Sequence, residues 1–152
     1  LRNYAKAIMK FNGTDVQAIA GSGAAGGMGA ALTALLHATL SPGIDMVLDA
    51  IGFDIAISGA SLVVTGEGKI DRQTLMGKAP GGILQRAAAQ GIPTIAVGGT
   101  VEWCDELRSC GFAKIIELNK QGLPLDMAMR HDTAWENMRN AAKELLLTYD
   151  IL

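Results

Sequence analysis

From Ser61 onward, three short and uninterrupted apolar runs alternate with segments of helical period. The runs are "SLVVT" (61–65), "IPTIAVGG" (92–99) and "AKIIEL" (113–118). Between the first two, Pro80 opens a helix through "GGILQRAAAQ" that Gly91 ends; "VEWCDELRSC" then reads as a helix closed by Gly111. A last helix starts near Asp132 and repeats Trp135, Met138, Ala142, Leu145 and Tyr149 at helical spacing. Strands that are apolar at every position are covered on both faces. With short connections, the order β-α-β-α-β-α predicts a parallel sheet with right-handed crossovers. The fold class is therefore α/β.

The first 45 residues do not continue this alternation. Leu1 to Met9 is amphipathic and helix-permissive, "VQAIA" (16–20) fits a short strand, and "MGAALTALLHATL" (28–40) reads as a buried helix stopped by "SPG". "IDMVLDAIGF" (44–53) follows as a helix with Ile44, Val47, Leu48 and Ile51 on one face. Three strands by themselves leave both sheet edges open. The chain thus reads as the helical, glycine-rich end of one domain (1–45) followed by part of an α/β domain (46–152). Open edges and uncovered apolar faces favour self-association, so a homodimer is among the expected states.

Composition removes several function classes. A net charge of −2 with no basic stripe argues against nucleic acid as the main partner. No apolar run is long enough to span a bilayer, and the N-terminus lacks a signal-peptide pattern, so a cytoplasmic protein without a membrane partner is expected. Cys104 and Cys110, placed on one helix, match no zinc spacing and read as reduced thiols. His37, mid-helix among apolar residues, reads as a packing residue. Trp103 and Trp135 read the same way.

Glycine is the outlier, and its 19 copies cluster near 21–29, 66–82 and 98–99. That clustering points to backbone-built binding loops, because the segments between are strongly apolar. The richest stretch is "VVTGEGKIDRQTLMGKAP" (63–80), where an apolar strand runs into Glu67, Lys69, Asp71, Arg72, Thr74 and Lys78. In open α/β sheets, ligands sit beyond the carboxyl ends of the strands, and "VGG" (97–99) arrives at the same edge. Glu67 and Asp71 can hold Mg²⁺ or accept a proton, Lys69 and Lys78 can neutralise phosphate, Thr74 can donate a hydroxyl, and exposed glycine N–H groups bind anions. Phosphoryl transfer uses this set, since its catalysis is mostly positioning and charge neutralisation. A solvated, salt-bridged surface loop uses the same residue types, and they leave both readings open.

"GSGAAG" (21–26) matches G-x-G-x-x-G, but a helix rather than a second strand follows its helix, which excludes a dinucleotide site. An anion site at a helix N-terminus and close helix packing through small residues both remain.

"GSGAAGGMGAAL" followed by "VVTGEGKIDRQTLMGKAPGGI", in that order and spacing, resembles the bacterial glycerate kinases of the glycerate 2-kinase type. Runs such as "GAGAAGGLGAAL" and "TGEGRID" are typical there. The resemblance runs the length of the chain but matches only the C-terminal part of such an enzyme. It implies a discontinuous flavodoxin/Rossmann-like α/β domain built from both termini. A second domain is inserted, whose end is residues 1–45. It implies an ATP- and Mg²⁺-dependent kinase acting on glycerate, with 2-phosphoglycerate the expected product. Carried over onto the matched motifs, Asp71, Lys78 and Glu67 are the catalytic candidates, with Glu67 or Asp71 on the metal. Gly66, Gly68, Lys69, Arg72 and Thr74, with Gly21, Gly23, Gly26 and Gly27, are the candidates for holding substrate and phosphate. Lys69 departs from the family's usual arginine and so lacks the bidentate fork. A rival expectation is a non-catalytic flavodoxin-like module that holds a phosphorylated ligand or nucleotide.

Overall fold

The computed structural model describes residues 1–119 and 122–149. The chain divides into two compact units, Leu1–Pro42 and Gly43–Leu152. The helix that starts at Gly43 belongs to the second unit, and its Ile44 side chain lies 2.6 Å from where a Cβ on Gly82 would stand.

In the first unit, α1 (Arg2–Asn12) ends at Gly13, whose left-handed φ of 76° lets its N–H reach the Met9 carbonyl. Ala5 and Ile8 pack with Val16, Ala30 and Ala34, and the Asn12 amide donates to the Ala34 carbonyl at 2.7 Å. "VQAIA" is not a strand. With no partner strand in this unit, its backbone closes on itself in turns, Ile19 N–H to Val16 O and Ser22 N–H to Ile19 O. The next helix, α2 (Ala24–Leu36), is broken near its start by left-handed Ala25, Gly26 and Gly27. It stops before Leu40, because His37 turns left-handed (φ 52°) and Ala38 N–H closes onto Leu32 O. His37 is therefore an exposed cap and not the packing residue expected.

The second unit opens with α3 (Gly43–Ala50) and α4 (Phe53–Ala56), two helices where one was expected, separated at Gly52 (φ 64°). Its sheet is parallel, as expected: β1 (Val63–Ile70), β2 (Thr94–Val101) and β3 (Lys114–Glu117), in the order β1-β2-β3. Helix α5 (Ala79–Ala89) connects β1 to β2, and α6 (Asp105–Ser109) connects β2 to β3. A short α7 (Leu125–Ala128), unforeseen, precedes α8 (His131–Tyr149). Ile95 and Ile116 pack with Ala141 and Leu145 of α8, whereas Ile70 and Ala96 pack with Leu107 of α6. Helices thus cover both faces of β2, which is why Ile95, Ala96 and Val97 are apolar without alternation.

The expected apolar face of α8 is only partly buried. Trp135 and Met138 are exposed, as is Ala142, while Ala141 and Leu145 are buried. Trp103 is likewise half out of the core, with the Arg108 guanidinium 5.2 Å above its ring. "VEWCDELRSC" contributes only five helical residues. β2 stays paired with β1 through Val101, and Cys104 and Cys110 become the two caps of α6 rather than residues within it.

Arg86 of α5 holds α4 and α3 to the sheet's crossover helix. Its Nε donates to Asp54 Oδ1 at 2.8 Å, and Nη2 donates to Asp54 Oδ2 and Asp49 Oδ1, both at 2.6 Å. The hydrogen bond from Arg86 holds the Asp54 carboxyl below its ordinary value of 3.8. A carboxyl whose folded pKa is depressed contributes stability above the unfolded value and loses it as pH falls through the folded one. Melting temperatures measured on the acid side of 3.8 are expected to fall more steeply for the wild type than for Asp54→Asn; parallel curves would remove Asp54 from the acid response.

Candidate active site

The charged stretch is not a loop at its start. Glu67, Gly68 and Lys69 lie inside β1, with Glu67 opposite Gly98 and Lys69 opposite Thr100 of β2. Glycine allows this close pairing. A Cβ on Gly66 would stand 2.5 Å from Val97 O, and one on Gly99 would stand 2.6 Å from Gly68 O. Only after Ile70 does the chain leave the sheet, in a single 3-10 turn over Arg72–Leu75.

Asp71 caps that turn. Its Oδ1 accepts from Gln73 N–H at 2.8 Å, while its own N–H donates to the Thr74 hydroxyl at 3.0 Å. The Thr74 hydroxyl in turn donates to Glu67 Oε1. Lys78, the N-cap of α5, then brings Nζ to 3.7 Å from Glu67 Oε2 and 3.8 Å from Asp71 Oδ1. Lys69 Nζ lies 3.7 Å from Asp71 Oδ2 and hydrogen-bonds Glu102, the first contact to raise its pKa. One strand end, one turn and one helix start therefore gather two carboxylates and two lysines at the carboxyl edge of the sheet.

Glu67 and Asp71 are only 20% and 18% exposed and Lys78 is 39% exposed, so the cluster is partly shielded from water yet reachable. Lys78 is also the N-cap of α5, and a helix N-terminus favours added negative charge. Glu67 also lines the rim of an apolar cleft of about 480 Å³ along β1 and α8, with Val64, Met138 and Leu145 among its walls.

The other expected residues go elsewhere. Thr74 has no exposed surface and its one proton goes to Glu67, so it does not present a hydroxyl to a ligand. Arg72 is 72% exposed and turns to Glu106 (3.1 Å), away from the carboxylate pair. Glu106 is held below its ordinary pKa first by its own backbone N–H, then by the Cys104 thiol and Arg72. Gly66 is a packing glycine, whereas a Cβ on Gly68 would meet nothing within 4 Å.

Gly21, Gly23, Gly26 and Gly27 belong to Leu1–Pro42. Gly27 is buried against Leu1 and Tyr4, Gly21 and Gly23 are exposed beside Leu40 and Leu1, and Gly26 is open. The regular part of α2 begins only at Met28, because the residues expected at its N-terminus are left-handed.

Glu102 and Glu117 were not anticipated. Glu117 Oε1 accepts from Val101 N–H at 3.1 Å, and Glu102 reaches Lys69 because Ile70 pairs with Val101. Strand register is the signal that places them, and a single sequence does not contain it.

The model of the glycerate kinase family matches residues 1–150. The chain belongs to the glycerate kinase family. Among curated relatives, the glycerate kinase of Bacillus cereus is 40% identical over 152 residues, and the glycerate 2-kinase of Escherichia coli K12 is 36% identical. Both alignments take 99% of this chain and 39% of the relative, so the chain spans about two-fifths of their length. A solved structure assigned as glycerate kinase 2 of Salmonella typhimurium LT2 superposes with a TM-score of 0.68 at 36% identity, covering 97% of this chain and 37% of that one. The α/β fold and the kinase family expected from the two glycine-bearing motifs are therefore both met in this glycerate kinase family member.

Proposed function

We propose that this chain is the C-terminal part of a glycerate kinase that transfers the terminal phosphoryl group of ATP to a hydroxyl of D-glycerate. The observation that carries the reading is the cluster of Glu67, Asp71, Lys78 and Lys69, gathered at the ligand-binding edge of the sheet in a member of this family. The name of the Escherichia coli relative favours 2-phosphoglycerate as the product. In the same reading, residues 1–45 close an inserted domain and 46–152 complete a discontinuous α/β domain.

In the working site, Lys78 and the N-terminus of α5 bind and orient the transferred phosphoryl group. Lys69 pairs with the glycerate carboxylate, and the open backbone at Gly68 lets the ligand approach. Asp71 orients the reacting hydroxyl and takes its proton at a carboxylate oxygen, so that the oxygen attacks phosphorus as ADP leaves. Glu67 keeps Lys78 in place.

Mg²⁺ binds through one or two carboxylates plus phosphate oxygens and waters rather than a full protein cage. The donors fit that sparse mode. Among the described residues no three or more His, Cys, Asp or Glu group so as to hold a metal ion by themselves. Thr74 and Gln73 take one oxygen of each carboxylate. Glu67 Oε2 and Asp71 Oδ2 face the Lys78 and Lys69 ammoniums at 3.7 Å, from which a divalent ion would have to displace them. A divalent ion held there would offset charge on the phosphoryl group.

Aligned groups from both halves of such an enzyme supply much of its rate. The 152-residue chain alone is expected to give no measurable glycerate-dependent ADP, while the full-length protein that carries it turns over and ³¹P NMR shows 2-phosphoglycerate. A full-length protein that binds nucleotide without turning over would be the non-catalytic module instead.

A further inference from the structure

Among the described residues, Thr74 is a fully buried polar side chain whose hydroxyl bonds both members of the carboxylate pair. We propose that Thr74 is a positioning residue that sets the separation and facing of Glu67 and Asp71; the inference rests on the kinase reading of that site. A threonine hydroxyl has one proton and two lone pairs. Here the proton goes to Glu67 Oε1, and one lone pair takes the Asp71 N–H at 3.0 Å. The hydroxyl thus ties a carboxylate on β1 to the backbone of the residue that caps the turn.

Two further contacts hold it in place. Thr74 N–H donates back to Asp71 O at 3.0 Å, and a Cβ on Gly81 would stand 2.5 Å from Thr74 O, so α5 lies directly on the turn. With Oε1 drawn inward, Glu67 faces Lys78 with Oε2, and Asp71 Oδ1 faces the same ammonium. Without the hydroxyl, nothing else in the turn orients Glu67, and two like charges beside one lysine move apart.

The test compares Thr74→Val, which keeps the shape and removes the hydroxyl, with Thr74→Ser, which keeps the hydroxyl, in the full-length protein. Displacing catalytic groups by about an ångström costs on the order of a hundredfold. Thr74→Val is expected to lower kcat by about ten- to a hundredfold while glycerate KM stays within about threefold, and Thr74→Ser to stay within about threefold of wild type in both. A Ser variant as slow as the Val variant, or a Val variant as fast as wild type, overturns the proposal.

Exchange of the Asp71 amide reads the same tie without turnover. It is expected to be slow in wild type and Thr74→Ser and roughly tenfold or more faster in Thr74→Val. Equal exchange in all three also overturns it. A wild type that does not turn over sinks the kinase reading, and the exchange pattern then decides the tie separately. If Thr74→Val does not fold, Thr74→Ala takes its place against Thr74→Ser in both measurements.

Discussion

In the full-length protein, Asp71→Asn and Lys78→Ala each lower turnover by a factor of about a hundred to ten thousand, or roughly 3–5 kcal/mol of transition-state stabilisation. Asp71→Asn nearly preserves the shape of the turn, and the amide oxygen can still accept from Gln73 N–H, so lost folding is a poor explanation for lost rate. Lys78→Ala leaves the helix start and Pro80 intact but removes the ammonium that lies within 4 Å of both carboxylates. Glu67 then loses its ammonium, and Asp71 is left with Lys69 at 3.7 Å. A surface ion pair would contribute about 1 kcal/mol or less to stability and leave the rate nearly unchanged. The two readings of the charged stretch therefore differ by orders of magnitude in one assay at saturating glycerate and Mg·ATP. Two folded variants that each keep more than about a third of the wild-type rate would return the cluster to the status of a solvated salt-bridge network.

The second large effect separates two glycines of one short run. Gly66→Ala forces a Cβ to within 2.5 Å of the Val97 carbonyl, a backbone atom held in the sheet, so β1 and β2 must part. Overpacking of this kind costs about 1–3 kcal/mol, which for a chain of this size lowers Tm by roughly 3–10 °C. Gly68→Ala meets open space and is expected to leave Tm within about 2 °C of wild type, since no strain opposes it and the unfolded chain loses entropy. If Gly68 is where ligand approaches the backbone, its alanine variant raises KM while melting normally. A pair of melts decides the first half: Gly68→Ala destabilised as much as Gly66→Ala would show that the strands do not sit in the register described.

How much of this could be read from the chain depends on the range of the interactions involved. The three parallel strands were legible because "SLVVT", "IPTIAVGG" and "AKIIEL" are short continuous apolar runs, although in β1 Val64 is exposed and the two-sided burial such runs suggest is met in β2. The gathering of charges was legible too, because Glu67, Lys69, Asp71 and Lys78 fall within twelve residues and one turn brings them together. The end of β1 was not legible. "GEGKI" carries every mark of a loop, and only pairing with Gly98, Thr100 and Val101 makes it a strand. The same pairing delivers Glu102 to Lys69 from 33 residues away. The burial of Thr74 was not legible for a related reason: hydroxyl chemistry is local, but whether the hydroxyl meets solvent or a buried carboxylate depends on how α5 packs over the turn. His37 and "VQAIA" had suitable local patterns and lost to backbone closure within the first unit. Residue type and short spacing thus determined which groups could act and which segments would be strands. Register and packing, which depend on residues far apart in the chain, decided which of those groups face each other and which are buried.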